Sequence, residues 1–240
     1  MAIVALPLGR TYARFMRKRC ILHLLLAVSI LTIRSGAASK VHVIAFGKWI
    51  SVQWLPDSLS KPVPLKVRAL VIDGRVREYA AGTAHEVTER LFVVQRAFRV
   101  NDSLPEDSTV RWQWQRGGWL LVDRLTGRVS AINLPGFDSY YSAASWYREY
   151  VSYCGVSDDG KKVFATVVQL NGRKPVLKKL LPNVTLDEAR ADSACSAPVW
   201  QRGPARVSFD PSAGGKQTFA IRGSVADVVT NAEDDEEPGN

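Results

Sequence analysis

The residue types that most often carry out chemistry are sparse in this chain. His85-Glu86-Val87-Thr88-Glu89 begins like the His-Glu-x-x-His zinc motif, but Glu89 stands where that motif needs a second imidazole on the same helix face. The stretch that follows, Arg90 to Val100, reads as a strand rather than a helix. Only His42 and His85 lie beyond the first forty residues, which is little material for a transition-metal site. We therefore expect no metal site.

The common nucleophile and phosphate-binding motifs are also missing. Gly155 to Gly160 fails the Gly-x-Ser-x-Gly pattern by one position, and the glycine patterns of phosphate loops and dinucleotide sites do not occur. Ser58 to Lys61 matches Ser-x-x-Lys, but it opens a proline-rich loop rather than a helix. Asp158 and Asp159 are adjacent carboxylates in a turn, where aspartate is favoured for backbone reasons. We predict no catalytic residue and no bound cofactor.

Aromatic residues are the remaining candidates for a functional surface. Trp112 and Trp114 lie beside arginines, and Trp146 and Tyr147 lie within a stretch rich in tyrosine. Such rings stack on sugars, peptides or bases, and neighbouring arginines add cation–π attraction. We predict a binding surface formed by these four residues. The alternative is that the rings fill the core of a β-protein of modest size.

The elements that would position these residues are strands, because short segments of alternating polarity are separated by glycine turns. Three hairpins are predicted, each around two residues that accept the positive φ angles of a type I′ turn. The turns are Asp73-Gly74, between strands 66–72 and 75–79; Asp159-Gly160, between strands 151–157 and 162–170; and Asn171-Gly172, before a strand over 173–180.

Further strands are predicted over 89–100, 111–115, 119–123, 128–134, 205–209 and 218–221. Pro175 lacks a backbone donor, so its strand is predicted at a sheet edge. Residues 143–150 are the one helix candidate, because Ala143, Tyr147 and Tyr150 recur at helical spacing. A strand continuing into Val151 fits the same residues. The expected fold class is all-β, built from antiparallel hairpins.

The stretch from Gly118 to Leu180 resembles one blade of the six-bladed β-propellers of the TolB type. The matching elements are Leu-Val-Asp-Arg-Leu-Thr-Gly-Arg-Val at 121–129, Ser-Asp-Asp-Gly-Lys at 157–161 and Asn-Gly-Arg-Lys-Pro at 171–175. The resemblance covers about a quarter of the chain and implies a propeller-like domain. The spacing does not repeat at a period of about 40 residues. A sandwich or partly open barrel made of the same hairpins is therefore equally consistent.

The first 38 residues have the pattern of an export signal. A basic block, 14–19, precedes an apolar run of roughly 13 residues, and small residues follow at 36–39. That run is shorter than the roughly 20 residues of a membrane-spanning helix. We expect cleavage after Ala38, with membrane attachment only through an uncleaved leader, and Met16 is an alternative start. The mature protein is then periplasmic or secreted.

Two cysteines, Cys154 and Cys195, remain beyond the leader. In an oxidising compartment an isolated pair is most simply one disulfide. The bond would close a loop of about 41 residues and, in the chain-entropy model, stabilise the fold by about 4 kcal/mol. The functional alternative is a reactive thiol with His42 or His85 as its base, which no local motif supports.

The chain's net charge of +9 belongs largely to the leader, which holds six of the 32 basic residues and no acid. The remaining 26 basic residues face 23 acidic ones, a net charge of +3. Five of those acids, 233–237, form a block near the C-terminus that is predicted to be disordered. Basic residues are scattered without long runs, so we expect no nucleic-acid partner.

These patterns predict a leader over 1–38, a single all-β domain over 39–230 and a disordered acidic tail over 231–240. The expected role is an exported binding or interaction module for an envelope or extracellular protein or glycan. One alternative is an envelope or extracellular hydrolase that assembles Asp and Glu residues from separate loops. Another is a structural subunit of an envelope assembly.

Overall fold

The prediction of an all-β fold is confirmed by a computed structural model that describes residues 41–55, 61–187, 192–211 and 213–229. These ranges contain fifteen strands and no helix. The predicted leader with Met16, the acidic tail over 231–240 and Ser58 lie outside the described residues. Within the described ranges, no helix offers the length and apolarity that a membrane crossing requires.

Seven strands form the first sheet. They are β1 (Ile44–Phe46), β2 (Ile50–Trp54), β3 (Val63–Ile72), β4 (Arg75–Glu86), β5 (Leu91–Asn101), β6 (Trp112–Asp123) and β7 (Arg128–Ala131). The long strand β3 pairs with β4 on one side and with β1 and β2 in succession on the other. From β4 the pairing continues through β5 and β6 to β7.

The first sheet curls on itself around an apolar core. The two ends of the sheet meet where β2 pairs with β6 in parallel, and Trp54 opposite Trp114 is the single register pair between them. That one contact leaves the sheet short of a closed barrel. Leu70, Phe92 and Val122 are buried inside the curl. The alternation of buried and exposed residues along these strands is what lets one face fill the interior.

The rest of the chain forms two four-stranded antiparallel sheets, each with its strands in sequence order. The second sheet contains β8 (Ser145–Tyr147), β9 (Tyr150–Val156), β10 (Val163–Gln169) and β11 (Leu177–Leu181). The third contains β12 (Val199–Arg202), β13 (Ala205–Phe209), β14 (Gln217–Arg222) and β15 (Val225–Val228).

The central strands of the second sheet, β9 and β10, are buried on both faces. On one face Val163 and Val167 of β10 share a core cluster with Phe209 and Phe219 of the third sheet. On the other face Tyr153 and neighbouring residues pack against side chains that include Trp119 of the first sheet. Every residue of β9 is consequently buried. Strands covered on both faces lose the polar alternation that a half-exposed strand shows.

Cys154 and Cys195 form the predicted disulfide, with their Cα atoms 6.0 Å apart. Cys154 lies in the fully buried strand β9, and Cys195 precedes β12. Both residues are almost completely buried. The bond therefore joins the middle sheet to the segment that leads into the third.

A second link, which we call the Arg116 cluster, joins β6 to the loop at 138–142. The Arg116 guanidinium lies 4.5 Å from the Trp54 ring centroid and donates to the carbonyl oxygens of Ser139 and Tyr140. It also donates to both carboxylate oxygens of Asp192, at 3.0 and 2.6 Å. The side chain of Arg116 is only 12% exposed, and these four hydrogen bonds all go to the fold itself.

One of the three predicted type I′ turns forms as expected. Asp73 and Gly74 have φ angles of 51° and 76°, which confirms the first hairpin. At Asp159-Gly160 only Gly160 has a positive φ, and the Asp159 carboxylate instead accepts from Ser157 Oγ and the Lys161 amide. This side-chain bonding stabilises a longer turn, so the two-residue prediction was wrong there.

The prediction of a type I′ turn at Asn171-Gly172 was also wrong. Neither residue has a positive φ, and the return strand begins at Leu177 rather than Arg173. The Gly172 amide bonds back to the Gln169 carbonyl, which turns the chain before the strand can pair. Pro175 therefore lies in the loop, although β11 is at the sheet edge as expected.

The helix predicted over 143–150 is absent, and the alternative of strand is correct. Residues 145–147 form β8, which turns at Arg148 and Glu149 and pairs with β9. The aromatic residues have helical spacing for another reason: β8 contributes its side chains to two different clusters, so they do not form one helix face. The strands predicted over 111–115 and 119–123 are one strand, β6, whose pairing with β5 shifts register opposite Gln95 to Ala97.

The stretch 118–180, which resembles a propeller blade, starts within β6 and ends within β11. It includes the second half of β6, all of β7 and nearly the whole second sheet. The blade resemblance stays a prediction.

Candidate binding cleft

A cleft of about 450 Å³ lies where the ends of β4 and β12 meet the turn between β8 and β9. We call it the β8 cleft. It is lined by His85, Glu86, Val87, Trp146, Tyr147, Arg148 and Arg202. A volume of this size lies within the range of small-molecule sites, about 300 to 1,000 Å³. Two of the four residues predicted to form a binding surface, Trp146 and Tyr147, therefore share one concavity.

Local irregularities in each strand bring these side chains together. The pairing of β4 with β5 is interrupted after Ala81 and resumes at His85, with Gly82 at a φ of 66°. A bulge of this kind bends a strand and redirects its end, here toward the second sheet. Trp146 and Tyr147 come from β8, which is the edge strand of its sheet. Each side of the cleft is thus fixed by a strand.

The aromatic rings form a wall in which each ring packs on another. Trp146 stacks on His85 with ring centroids 5.8 Å apart, and it meets Trp119 edge to face at 5.3 Å. Tyr147 stacks on Trp200 at 5.3 Å and donates its hydroxyl to the Arg202 carbonyl. Because these rings already contact each other, they are held in place before any ligand arrives. Such preorganisation reduces the entropic cost of binding.

His85 ties β4 to the turn between β8 and β9. Its Nε2 lies 2.8 Å from the Arg148 carbonyl oxygen. A carbonyl oxygen can only accept, so Nε2 carries the hydrogen. In the neutral ring this leaves Nδ1 as an acceptor. His85 therefore acts as a buttress for the turn as well as a part of the wall.

Arg148 has an uncommon backbone conformation. Its φ is 51°, in the left-handed region that favours glycine, asparagine and aspartate. The other non-glycine residues with positive φ in the described ranges are Asp73, Asn183 and Asp192. Arg148 alone among them has a long side chain that gains no local hydrogen bond from this conformation. Backbone strain held in place by its surroundings is typical of functional sites.

The charges of the cleft are unequal. Glu86 accepts two hydrogen bonds of 2.7 Å from Arg124, and this contact lowers the pKa of the Glu86 carboxyl. Its negative charge is thereby balanced. Arg148 and Arg202, by contrast, have no carboxylate within 4.0 Å among the residues described. Arg148 and Arg202 thus line the cleft as exposed residues without an ion-pair partner in the described part of the chain.

The other two residues of the predicted surface lie elsewhere. Trp112 and Trp114 are at the start of β6, seven and five residues before Trp119, or roughly 23 and 17 Å along the strand. Trp112 is 57% exposed, whereas Trp114 is half-buried and packs edge to face on Tyr79. The guanidinium of Arg99 lies 5.6 Å from both indole rings. These rings lie on a sheet surface rather than in the cleft.

Arg148 and Arg202 were not predicted from the sequence. A tight turn between two strands would have drawn attention to Arg148. That turn was not recognised, because the spacing of residues 143–150 predicts a helix. Arg202 is one of many scattered arginines, and only the end of β12 brings it beside Tyr147.

Residues considered for metal or thiol chemistry are distributed apart. Among the described residues no three His, Cys, Asp or Glu side chains converge as metal ligands. His42 Nδ1 lies 2.8 Å from a carboxylate oxygen of Asp73. Asp159 bonds to Ser157 within the turn between β9 and β10. Cys154 and Cys195 are bonded to each other, which leaves neither as a thiol nucleophile.

Comparisons of the chain with protein-family models, with curated proteins and with solved structures found no match. The function is therefore argued from the site itself.

Proposed function

We propose that this protein is an exported, extracytoplasmic binding module that holds a ligand in the β8 cleft without transforming it. The observation that carries the proposal is a packed aromatic wall beside two exposed arginines that form no ion pair with a described residue, all lining one concavity. The disulfide supports an oxidising compartment, where such bonds persist.

Binding is favoured over hydrolysis by the carboxylates. Glycoside hydrolysis ordinarily uses two carboxyl groups, one of them with a raised pKa so that it can donate a proton. Among the described residues that line the cleft, Glu86 is the one carboxylate, and its pKa is lowered by Arg124. A carboxyl group held in its charged form is a poor proton donor.

The size of the cleft favours a small ligand, and among the predicted partners a glycan fits better than a folded protein. A stable protein partner would cover about 800 Å² on each side. The cleft instead has the volume of a site for a few sugar units. The rings of Trp146 and Tyr147 line the cleft and supply apolar surface for contact with sugar C–H groups.

The proposal is tested by screening the full mature chain against soluble oligosaccharides, with calorimetry to measure affinity and chromatography to detect shortened products. We expect binding without turnover. In the variant Val87→Trp an indole fills the cleft, so binding should be lost. The matched control Trp112→Ala removes an exposed indole outside the cleft and should bind like the wild type.

The opposite pattern, with binding lost in Trp112→Ala and kept in Val87→Trp, would assign recognition to the start of β6 and reject the β8 cleft. Release of shortened sugars would favour the hydrolase. Failure to bind any saccharide would reject a glycan-binding role.

Export is tested separately by N-terminal sequencing of the protein recovered from outside the cytoplasm. We expect the mature chain to begin at Ser39. Recovery of the protein in the cytoplasm with its first forty residues intact would contradict this part of the proposal.

A further inference from the structure

We propose that the ligand of the β8 cleft is an acidic saccharide, whose carboxylate is bound by Arg148 and Arg202. This inference rests on the proposed function and adds the chemical class of the ligand. The juxtaposition behind it is a packed aromatic wall beside two arginines that form no ion pair with a described residue, one of them at a strained backbone position.

The charge of the cleft selects an anion. Glu86 is neutralised by Arg124, so it does not balance Arg148 or Arg202. Glu149, the other carboxylate of the turn, is half-buried and forms no ion pair within 4.0 Å with a described residue. The planar guanidinium fork matches a carboxylate with two parallel hydrogen bonds, which lysine cannot reproduce.

The backbone conformation of Arg148 supports a role for its side chain in binding the ligand. A glycine at this φ would relieve the strain, and a turn of two residues accepts glycine readily. The guanidinium lies 5.4 Å from the Tyr147 ring centroid and makes no ion pair with a described residue. The fold thus gains little from arginine here and tolerates its strain. Strain of this kind points to a role outside the fold.

A saccharide fits the cleft better than an extended peptide. Peptides commonly bind by adding a strand to an exposed sheet edge, and β8 is such an edge. However, Trp200 lies against β8, with its Nε1 donating to the Ser145 carbonyl and its ring stacked on Tyr147. A bulky side chain on the edge strand hinders the approach of another backbone.

The test compares a short oligogalacturonate with the neutral galactose oligomer of the same length and with an oligoglutamate peptide. Calorimetry is performed on the mature chain and on the variants Arg148→Gly and Arg202→Gln. Arg75→Gln serves as the matched control, because Arg75 begins β4 at the opposite end from His85. Thermal melting is recorded for every variant.

We expect the oligogalacturonate to bind and the neutral oligomer to bind at least about tenfold more weakly, because each charged hydrogen bond contributes about one to two factors of ten. Each cleft variant should weaken acidic-sugar binding about tenfold, and added salt should weaken it in the wild type. Arg148→Gly should melt at or above the wild-type temperature, and Arg75→Gln should leave binding unchanged.

Equal binding of acidic and neutral sugars, unaffected by Arg148→Gly or Arg202→Gln, would overturn the inference while the binding module stands. Preference for oligoglutamate over both sugars would overturn the saccharide assignment. Absence of binding to either sugar, with no other saccharide bound in the wider screen, would reject the proposed function as well. A lower melting temperature for Arg148→Gly would show that the fold depends on this arginine and would remove the argument from strain.

Discussion

Several arginines lie over aromatic rings in the described part of the chain, and two of these places have opposite outcomes. In the Arg116 cluster the guanidinium lies against Trp54, and its donors are satisfied by Asp192 and by two backbone carbonyls. In the β8 cleft Arg148 lies over Tyr147 without an ion-pair partner among the described residues. The same residue types therefore hold the fold together in one region and face an open cavity in the other.

The difference lies in hydrogen bonding, not in composition. A buried guanidinium must have partners because desolvation without them is costly. An exposed one has water instead, and it can exchange that water for a ligand. If this comparison is right, disrupting the first region should affect stability, and disrupting the second should affect binding.

The largest expected effect on stability comes from the disulfide, which lies three residues after Asp192 of the Arg116 cluster. Replacing Cys154 and Cys195 together by serine should lower the free energy of unfolding by about 4 kcal/mol, because a long loop is released in the unfolded chain. Urea denaturation measures the loss. Ligand affinity at low temperature, where the variant is folded, should not change. A loss smaller than about 1 kcal/mol would contradict a role for this bond in holding the sheets together.

The next effect concerns the Arg116 cluster itself. Arg116→Ala leaves the Ser139 carbonyl and the Asp192 carboxylate without the guanidinium donor, whereas the Tyr140 carbonyl keeps its bond from the Asp192 amide. We therefore expect a loss of about 2 to 3 kcal/mol in unfolding free energy. Arg116→Lys should recover part of it, since an ammonium cannot reproduce the bidentate contact.

Arg148→Gly provides the matched comparison in the same urea measurement, and no loss is expected there. Similar losses for Arg116→Ala and Arg148→Gly would remove the distinction between the two regions.

A smaller effect compares two tyrosine hydroxyls. Tyr153, in the buried strand β9, donates to the Pro135 carbonyl at 2.8 Å, and Tyr147 donates to the Arg202 carbonyl at 3.3 Å near the surface. Tyr153→Phe should lower the unfolding free energy by about 1 kcal/mol, because a buried acceptor loses its donor. Tyr147→Phe should cost less than about 0.5 kcal/mol, since water replaces the lost bond. Chemical denaturation measures both losses. A larger loss for Tyr147→Phe than for Tyr153→Phe would contradict the assignment of Tyr153 to the structural region and of Tyr147 to the cleft.

The fold class was predictable from the sequence because polar alternation and glycine turns are local signals. The Asp73-Gly74 hairpin is the clearest case, since two adjacent residues with positive φ determine the turn without help from the rest of the chain. The disulfide was predictable for a different reason, since only two cysteines remained to be paired.

The cleft was not predictable, because its parts come from distant positions in the chain. His85 and Trp146 stack although 61 residues separate them in the numbering, and Arg202 is a further 56 away. The interpretation of residues 143–150 as a helix failed because packing against two neighbouring sheets overrides local spacing. Trp112 and Trp114 do not line the cleft that contains Trp146, and a role for them in binding stays a prediction. That aromatic residues are numerous in one part of the sequence does not determine which face or which end of a strand each ring occupies.

The smallest expected effect on stability is the pH dependence of the ion pair between Glu86 and Arg124, beside the cleft. Hydrogen bonds from Arg124 lower the pKa of Glu86 in the folded protein, so this pair stabilises the fold above the ordinary carboxyl range near pH 4.3. The contribution is lost as pH falls through the lowered pKa. Because Glu86 is 61% exposed, we expect at most about 0.5 kcal/mol. The difference in stability between the wild type and Glu86→Gln should therefore shrink on acidification.

The same variant sharpens the contrast between the two regions. Removing the charge of Glu86 at neutral pH releases Arg124 from its partner beside the cleft. A third guanidinium then acts on the ligand, so an acidic saccharide should bind more tightly to Glu86→Gln than to the wild type, by about two- to threefold for an exposed charge. The equivalent change in the Arg116 cluster, Asp192→Asn, should destabilise the fold and leave affinity unchanged, because Arg116 is buried and its other donors stay bound to carbonyls. Calorimetry of both variants decides the matter: a gain in affinity from Asp192→Asn, or none from Glu86→Gln, would mean that the cleft does not select its ligand by charge.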